Sequence, residues 1–196
     1  MTEIDSRTVR IGAEGPEGLR YVPDFLMPDQ ERALLDGLEP LDWDGRGLFR
    51  RRCHIVRRRE LDFLSDYGRG SRKLSPGRPL PEFLEPLRTA VAQVVGIAPE
   101  NIGQVITALY RPEAGIDWHT DSIKAFGDVI CGVSLGSACT MQFRQNKTDR
   151  QPYRLTLAPR SLLIMQGPAR WDWQHHIPVV KQLRYSVTLR TLKQSA

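Results

Sequence analysis

The fold predicted by this chain of 196 residues is mainly β, of the α+β class: a barrel or sandwich core buttressed by two N-terminal helices. Two observations carry that expectation. From Gln104 onward, β-branched and apolar runs of strand length alternate with turn residues. Before it, two stretches repeat their apolar residues at helical spacing. The length suits one well-buried domain over 1–196, with 1–100 as an N-terminal extension and 101–196 as the core.

After a polar lead-in over residues 1–20, "LRYVPDFL" reads as a short strand entering a helix. The helix starts at Pro28-Asp29-Gln30-Glu31, with proline and acids where a helix N-terminus favours them, and Ala33, Leu34, Leu35 and Leu38 form its expected stripe. "RRCHIVRRRELDF" reads as a strand or hairpin, and "YGRGSRKLSPGRPLP" as a loop. A second amphipathic helix is expected from Glu82 to Val95, with Phe83, Leu84, Leu87, Val91, Val94 and Val95 on its apolar face. The strand candidates that follow are "QVITALY", "IDWHTD", "DVICGVSLG", "CTMQFR", "YRLTLA", "SLLIMQG", "WDWQHHIP" and "LRYSVTLRTL".

Composition narrows the function classes. The absence of long apolar runs or an apolar N-terminal segment argues against a membrane span and a signal peptide, so a cytoplasmic location is expected. Cys53, Cys131 and Cys139 form no CxxC pair and read as structural thiols. Residues 46–78 carry eleven Lys/Arg against three acids, or +8 of a total of +5, leaving −3 for the remainder. Such a segment is either a polyanion-binding surface or a solvated loop.

Residues 115–122, "GIDWHTDS", set His119 between Asp117 and Asp121. In a strand, residues i and i+2 share a face, so His119 can pair with either aspartate. In "WDWQHHIP" the same parity puts Trp171, Trp173, His175 and Ile177 on one face, and Asp172, Gln174 and His176 on the other. Two imidazoles and a carboxylate with open positions suit a non-haem Fe(II) centre. The plainer reading is a hydrogen-bonded His-Asp pair and a core histidine. The C-terminal strand favours the first, because Arg184, Ser186, Thr188 and Arg190 share a face. Two arginines and two hydroxyls on one side of an otherwise apolar strand are costly unless they meet an anion, and a dicarboxylate held by bidentate contacts would satisfy them. The plainer reading is a strand with its polar face in water.

From about Tyr110 to Leu192 the sequence resembles the AlkB family of Fe(II)- and 2-oxoglutarate-dependent dioxygenases. The resemblance rests on "LYRPEAGIDWHTDS", "VSLGSACTMQF", "RSLLIMQGPARWDWQHHIP" and "RYSVTLR" with its R-x5-R spacing. It implies a double-stranded β-helix (jelly-roll) core, with Fe(II), 2-oxoglutarate and O2 as the cofactor set. His119, Asp121 and His175 would be the iron ligands and reaction centre. Arg184 would pair with the distal carboxylate of 2-oxoglutarate, Arg190 would hold the cosubstrate near the iron, and Tyr110 would donate to it. Ser186 stands among these contacts where the family has asparagine. Ala108 and Leu109 replace an asparagine and an arginine of the bacterial repair enzyme, and Ile123 stands where that enzyme has an acidic base-reading residue.

The activity so implied is oxidative demethylation of N-alkylated bases in DNA or RNA, by a monomer with no obligate protein partner. Arg50, Arg51, Arg52, Arg57, Arg58 and Arg59 would meet phosphates, and Trp43, Phe49 or Tyr67 would stack on a base. The alternatives are hydroxylation of a modified tRNA or of a protein by the same chemistry, and an inactive nucleic-acid-binding jelly roll.

Overall fold

The computed structural model describes residues 9–10, 15–43, 56–57, 59–68, 73–148 and 151–193. Two short strands, β1 (Val9–Arg10) and β2 (Leu19–Val22), precede helix α1 (Pro28–Leu38). Four more follow: β3 (Val56–Arg57), β4 (Arg59–Phe63), β5 (Ser65–Gly68) and β6 (Lys73–Pro76). A 3-10 turn at Glu82–Leu84 opens into α2 (Glu85–Val95). The remaining chain is β7 (Ile102–Tyr110), β8 (Ala114–His119), β9 (Phe126–Leu135), β10 (Cys139–Arg144), β11 (Tyr153–Leu157), β12 (Leu162–Met165), the short helix α3 (Gly167–Trp171), β13 (Gln174–Ile177) and β14 (Arg184–Leu192).

A seven-stranded sheet runs β1-β2-β12-β9-β14-β7-β4, and a five-stranded sheet runs β11-β10-β13-β8-β3. Together they form the two walls of the jelly roll. Both faces of the large sheet are buried, and strand parity divides its side chains. Leu61, Val105, Leu109, Cys131, Val133, Val187 and Leu189 face one core, which the helices close with Leu34, Leu38, Leu87 and Val91. Ala108, Tyr110, Ile130 and Leu163 turn the other way and meet Met141, Phe143 and Ile177 of the small sheet. No helix among the described residues is long and apolar enough to cross a membrane.

The helices end where local chemistry dictates. At α1, Pro28 occupies the first turn and the Met27 N–H donates to Gln30 Oε1 at 2.9 Å. At α2, Gly96 adopts φ 75°, a left-handed conformation glycine takes without a Cβ penalty, and the Ile97 N–H then reaches Ala92 O at 3.0 Å. The buried stripe of α1 is narrower than expected: Leu34 and Leu38 are buried, while Ala33 is exposed.

Of the two readings of "RRCHIVRRRELDF", the described residues follow the strand: β3 pairs with β8 in the small sheet and β4 with β7 in the large one. Two expectations need correction. The expected loop after that segment is a hairpin, β5 against β6, registered from Ser65↔Pro76 to Gly68↔Lys73. Proline, which has no N–H to donate, is tolerated there because β6 pairs with β5 alone among the described residues. "WDWQHHIP" is extended only from Gln174; Pro168 near the N-terminus starts a turn of helix that takes Trp171 out of the strand.

Candidate metal centre

His119 ends β8, and β13 runs antiparallel beside it so that His175 stands opposite as its cross-strand partner. The two rings meet edge to face with centroids 4.2 Å apart. Asp121 lies two residues beyond the strand. One ligand atom from each of the three side chains falls within 4.8 Å of the others, an arrangement a metal ion can use. His175 Nε2 is 3.6 Å from Asp121 Oδ2. The main-chain carbonyl of Asp117 lies 2.7 Å from His119 Nδ1. A carbonyl only accepts, so Nδ1 carries the proton and Nε2 the lone pair that a metal needs. The sequence left Asp117 and Asp121 as alternatives by parity. In the structure Asp121 joins the cluster, while Asp117 orients the histidine through its backbone.

Asp121 is buried, which by itself would raise its pKa; Arg190, His175, His119 and Arg170 outweigh that and hold the carboxyl well below the usual carboxylate range. It is therefore an anion at neutral pH and ready to bind a cation. Arg190 Nη2 donates to Asp121 Oδ1 at 2.5 Å, and its Nη1 donates to Gln104 Oε1 at 2.8 Å. Two of its nitrogens thus serve protein partners, a role not foreseen for it in the sequence.

Arg184 is different. It is 2% exposed, Nη2 donates to Ser134 Oγ at 3.0 Å, and neither Nε nor Nη1 has a hydrogen-bond partner among the described residues. Its guanidinium lies 4.8 Å from the Tyr110 ring centroid and borders a cavity shared with Ser186, His119, Asp121 and His175. On the neighbouring strand β9 of the same sheet, Gly132 also lines the cavity and leaves open space where a Cβ would stand. A buried cation with two unused donors fits a carboxylate-bearing molecule, and the two imidazoles with one carboxylate fit Fe(II).

A second opening, toward solvent, is walled by Glu60, Asp62, Tyr67 and Phe126 and shares His119, Asp121 and Arg190 with the inner cavity. His119 and Asp121 of the cluster therefore border both the inner cavity and the outer groove. Tyr67 and Phe126 form a tilted aromatic pair at 5.4 Å on the groove wall.

Other expected site residues separate. Trp43 packs on Tyr185 and donates Nε1–H to Leu38 O at 3.0 Å, so it is a core residue and not a base-stacking one. Trp118 lies between His176 and Arg144 on the small sheet. Arg50, Arg51, Arg52, Arg58 and Phe49 lie outside the described residues; Arg57 and Arg59 sit in β3 and β4.

Two residues went unnoticed in the sequence. Arg170, 2% exposed in α3, donates to the carbonyls of Gly127, Asp121, Ser122 and Phe126 at 3.1–3.3 Å and clasps the loop that carries Asp121. Gln104 is fully buried. Its signal was parity: it is a polar side chain on the same face of β7 as Ile106, Ala108 and Tyr110.

Comparison with known proteins accords with this geometry. Residues 18–191 match the 2OG-Fe(II) oxygenase superfamily. The chain belongs to that superfamily. Within this oxygenase superfamily it is of AlkB type, a 2-oxoglutarate-dependent dioxygenase that uses Fe(II), 2-oxoglutarate and O2. It is 32% identical to the tRNA (carboxymethyluridine(34)-5-O)-methyltransferase alkbh8 of Xenopus tropicalis over 83% of its own length, and spans about a quarter (25%) of that protein. It is 28% identical to the Arabidopsis thaliana "Alkylated DNA repair protein ALKBH8 homolog" over 82% of the chain and 51% of the relative. In fold it is similar to OsALKBH1, with a TM-score of 0.73 at 13% identity over 94% of this chain and 99% of that one.

Proposed function

We propose that this AlkB-type oxygenase oxidatively dealkylates N-alkylated bases in nucleic acid, with His119, Asp121 and His175 as the iron ligands. The observation that carries the reading is the position of that cluster, bordering both a cavity lined by Arg184 and a solvent-facing groove with an aromatic wall. In this reading the cosubstrate occupies the cavity and the substrate the groove, both bordering the cluster. Bound Fe(II), with 2-oxoglutarate and O2, supplies the oxidation: one oxygen atom enters the alkyl C–H bond, and the other goes to 2-oxoglutarate as it becomes succinate and CO2.

The chain's own residues do the rest. Arg184, with donors that no protein group uses, receives the distal carboxylate of 2-oxoglutarate and fixes its direction. Tyr110 and Ser186 line the chamber beside it. The apolar barrel interior keeps water from the reacting groups. In the groove, Tyr67, backed by the buried Phe126 ring, offers an extruded base an aromatic side chain to lie against. The hydroxymethyl group left on nitrogen then departs as formaldehyde. The basic segment 46–78 would hold the phosphate backbone, with Arg50–Arg52 and Arg57–Arg59 as its contacts.

A second substrate is favoured by one observation, the 32% identity to a relative named for tRNA modification. In that reading the same centre hydroxylates a modified uridine in tRNA. A panel assay tests both: single-stranded DNA, duplex DNA and RNA carrying N1-methyladenine or N3-methylcytosine, beside tRNA. Formaldehyde release from a methylated oligonucleotide is the expected result. Succinate formation stimulated by tRNA alone, without formaldehyde, would overturn dealkylation in favour of tRNA hydroxylation.

A further inference from the structure

Gln104 sits near the start of β7, between β14 and β4, directly opposite Arg190 in the register. Its side-chain amide has three contacts. Oε1 accepts from Arg190 Nη1 at 2.8 Å, and Nε2 donates to Asp62 Oδ1 at 3.2 Å and to the Ser65 carbonyl at 3.1 Å. Asp62 lines the outer groove, and Arg190 Nη2 holds Asp121 Oδ1 at 2.5 Å. Three side-chain contacts therefore connect the groove wall to the cluster: Asp62 to Gln104, Gln104 to Arg190, Arg190 to Asp121.

We propose that Gln104 is a positioning residue that couples the groove wall at Asp62 to the metal-facing carboxylate of Asp121. This rests on the reading of His119, Asp121 and His175 as metal ligands. The amide is suited to the place by its two different ends. A guanidinium has only donors, whereas a carboxylate and a main-chain carbonyl have only acceptors, so whatever stands between must accept on one side and donate on the other. Glutamine does both with no net charge. Leucine would take from Arg190 Nη1 its acceptor and break the contact to Asp62, and glutamate would set a second carboxylate against Asp62.

The consequence for Asp121 follows from how Arg190 is held. Arg190 Nε has no hydrogen-bond partner among the described residues, so Gln104 and Asp121 are the two fixed points of its guanidinium. With Oδ1 committed to Arg190, Oδ2 is the oxygen turned toward His175 Nε2. Gln104 thus keeps Asp121 presenting one oxygen, and a group in the groove that draws on Asp62 alters that presentation without touching the metal. Contacts at one remove from a metal commonly shift its affinity by ~10–100-fold.

The test measures Mn(II) binding to the full chain by calorimetry, in the presence of 2-oxoglutarate, beside the melting temperature of the metal-free protein. Gln104→Leu is expected to weaken Mn(II) binding ~10–100-fold, and Asp62→Asn to weaken it less. Gln104→Glu is expected to weaken it too, and Gln104→Glu combined with Asp62→Asn to recover part of the loss, because donor and acceptor have exchanged places. A role in packing alone would give no such recovery. Unchanged Mn(II) affinity in Gln104→Leu overturns the proposal. So does failure of Asp62→Asn to rescue Gln104→Glu when both proteins melt as folded, and this arm decides the matter if Gln104→Leu does not fold. Failure of the unaltered protein to bind Mn(II) overturns the metal-site reading itself, and is distinguished by its independence of any substitution.

Discussion

Along β14, Val187 and Leu189 point at the helices, while Arg184, Ser186 and Arg190 point into the barrel. The same alternation runs through β9, where Cys131 and Val133 face outward and Ile130 and Ser134 face inward. One face is close-packed and apolar; the other carries a buried arginine with unused donors. Stability and chemistry are thus assigned to opposite sides of the same backbone, and a strand's two-residue period lets them change independently. Substitutions on neighbouring residues should separate the two.

The largest effect is expected inside. His175→Ala should reduce 2-oxoglutarate turnover to background, measured as succinate release, while the protein still melts cooperatively. On the outer face, Leu189→Ala removes a side chain that is 1% exposed and should lower unfolding stability by ~2–5 kcal/mol in urea titrations, with the KM for 2-oxoglutarate near its original value. Arg184→Leu should do the reverse. The KM for 2-oxoglutarate should rise ~10–100-fold, in keeping with the loss of charge-assisted hydrogen bonds worth ~1.5–3 kcal/mol. Stability should hold or increase, since a buried cation with unsatisfied donors has gone. A marked loss of stability in Arg184→Leu would erase the distinction between the faces.

The smallest effect concerns thiols. Burial pushes the Cys131 thiol up to about 12, against a small opposing pull from Arg20. At pH 8 only about one molecule in 10⁴ would be thiolate, so iodoacetamide should label Cys131 only after unfolding. Cys139 is half-buried, and burial raises its pKa as well, with Arg184 pulling the other way. It should react in the native protein before Cys131, and mass spectrometry of labelled peptides reads the order.

Much of the fold was legible because a strand between two different surroundings writes that difference into alternate residues. "LRYSVTLRTL" told which side of β14 was polar, and the structure keeps that division. The hairpin β5–β6 was illegible for the opposite reason: its Gly, Pro and Ser content reads as a turn, and its pairing is made by backbone groups that composition does not report. In the candidate site, His119, Asp121, His175 and Arg184 stood in recognisable spacings. Gln104 and Arg170 did not: parity put Gln104 on the inward face of β7 without naming a partner, and nothing in "QGPARWDW" pointed to a role for Arg170. Their roles lie in partners far along the chain, such as Asp62 for Gln104 and the carbonyls of residues 121–127 for Arg170.

The sequence by itself determined the local alternation, the helix ends and the stock of ligand types, because these depend on neighbours within a few residues. Parity left Asp117 and Asp121 open and the resemblance named Asp121; only the tertiary structure brought Asp121 to the histidines, set His119 opposite His175, gave Arg190 to Asp121 and left Arg184 facing the cavity. Those choices depend on how two sheets close on each other, and the register of strands more than fifty residues apart is a property of the whole barrel.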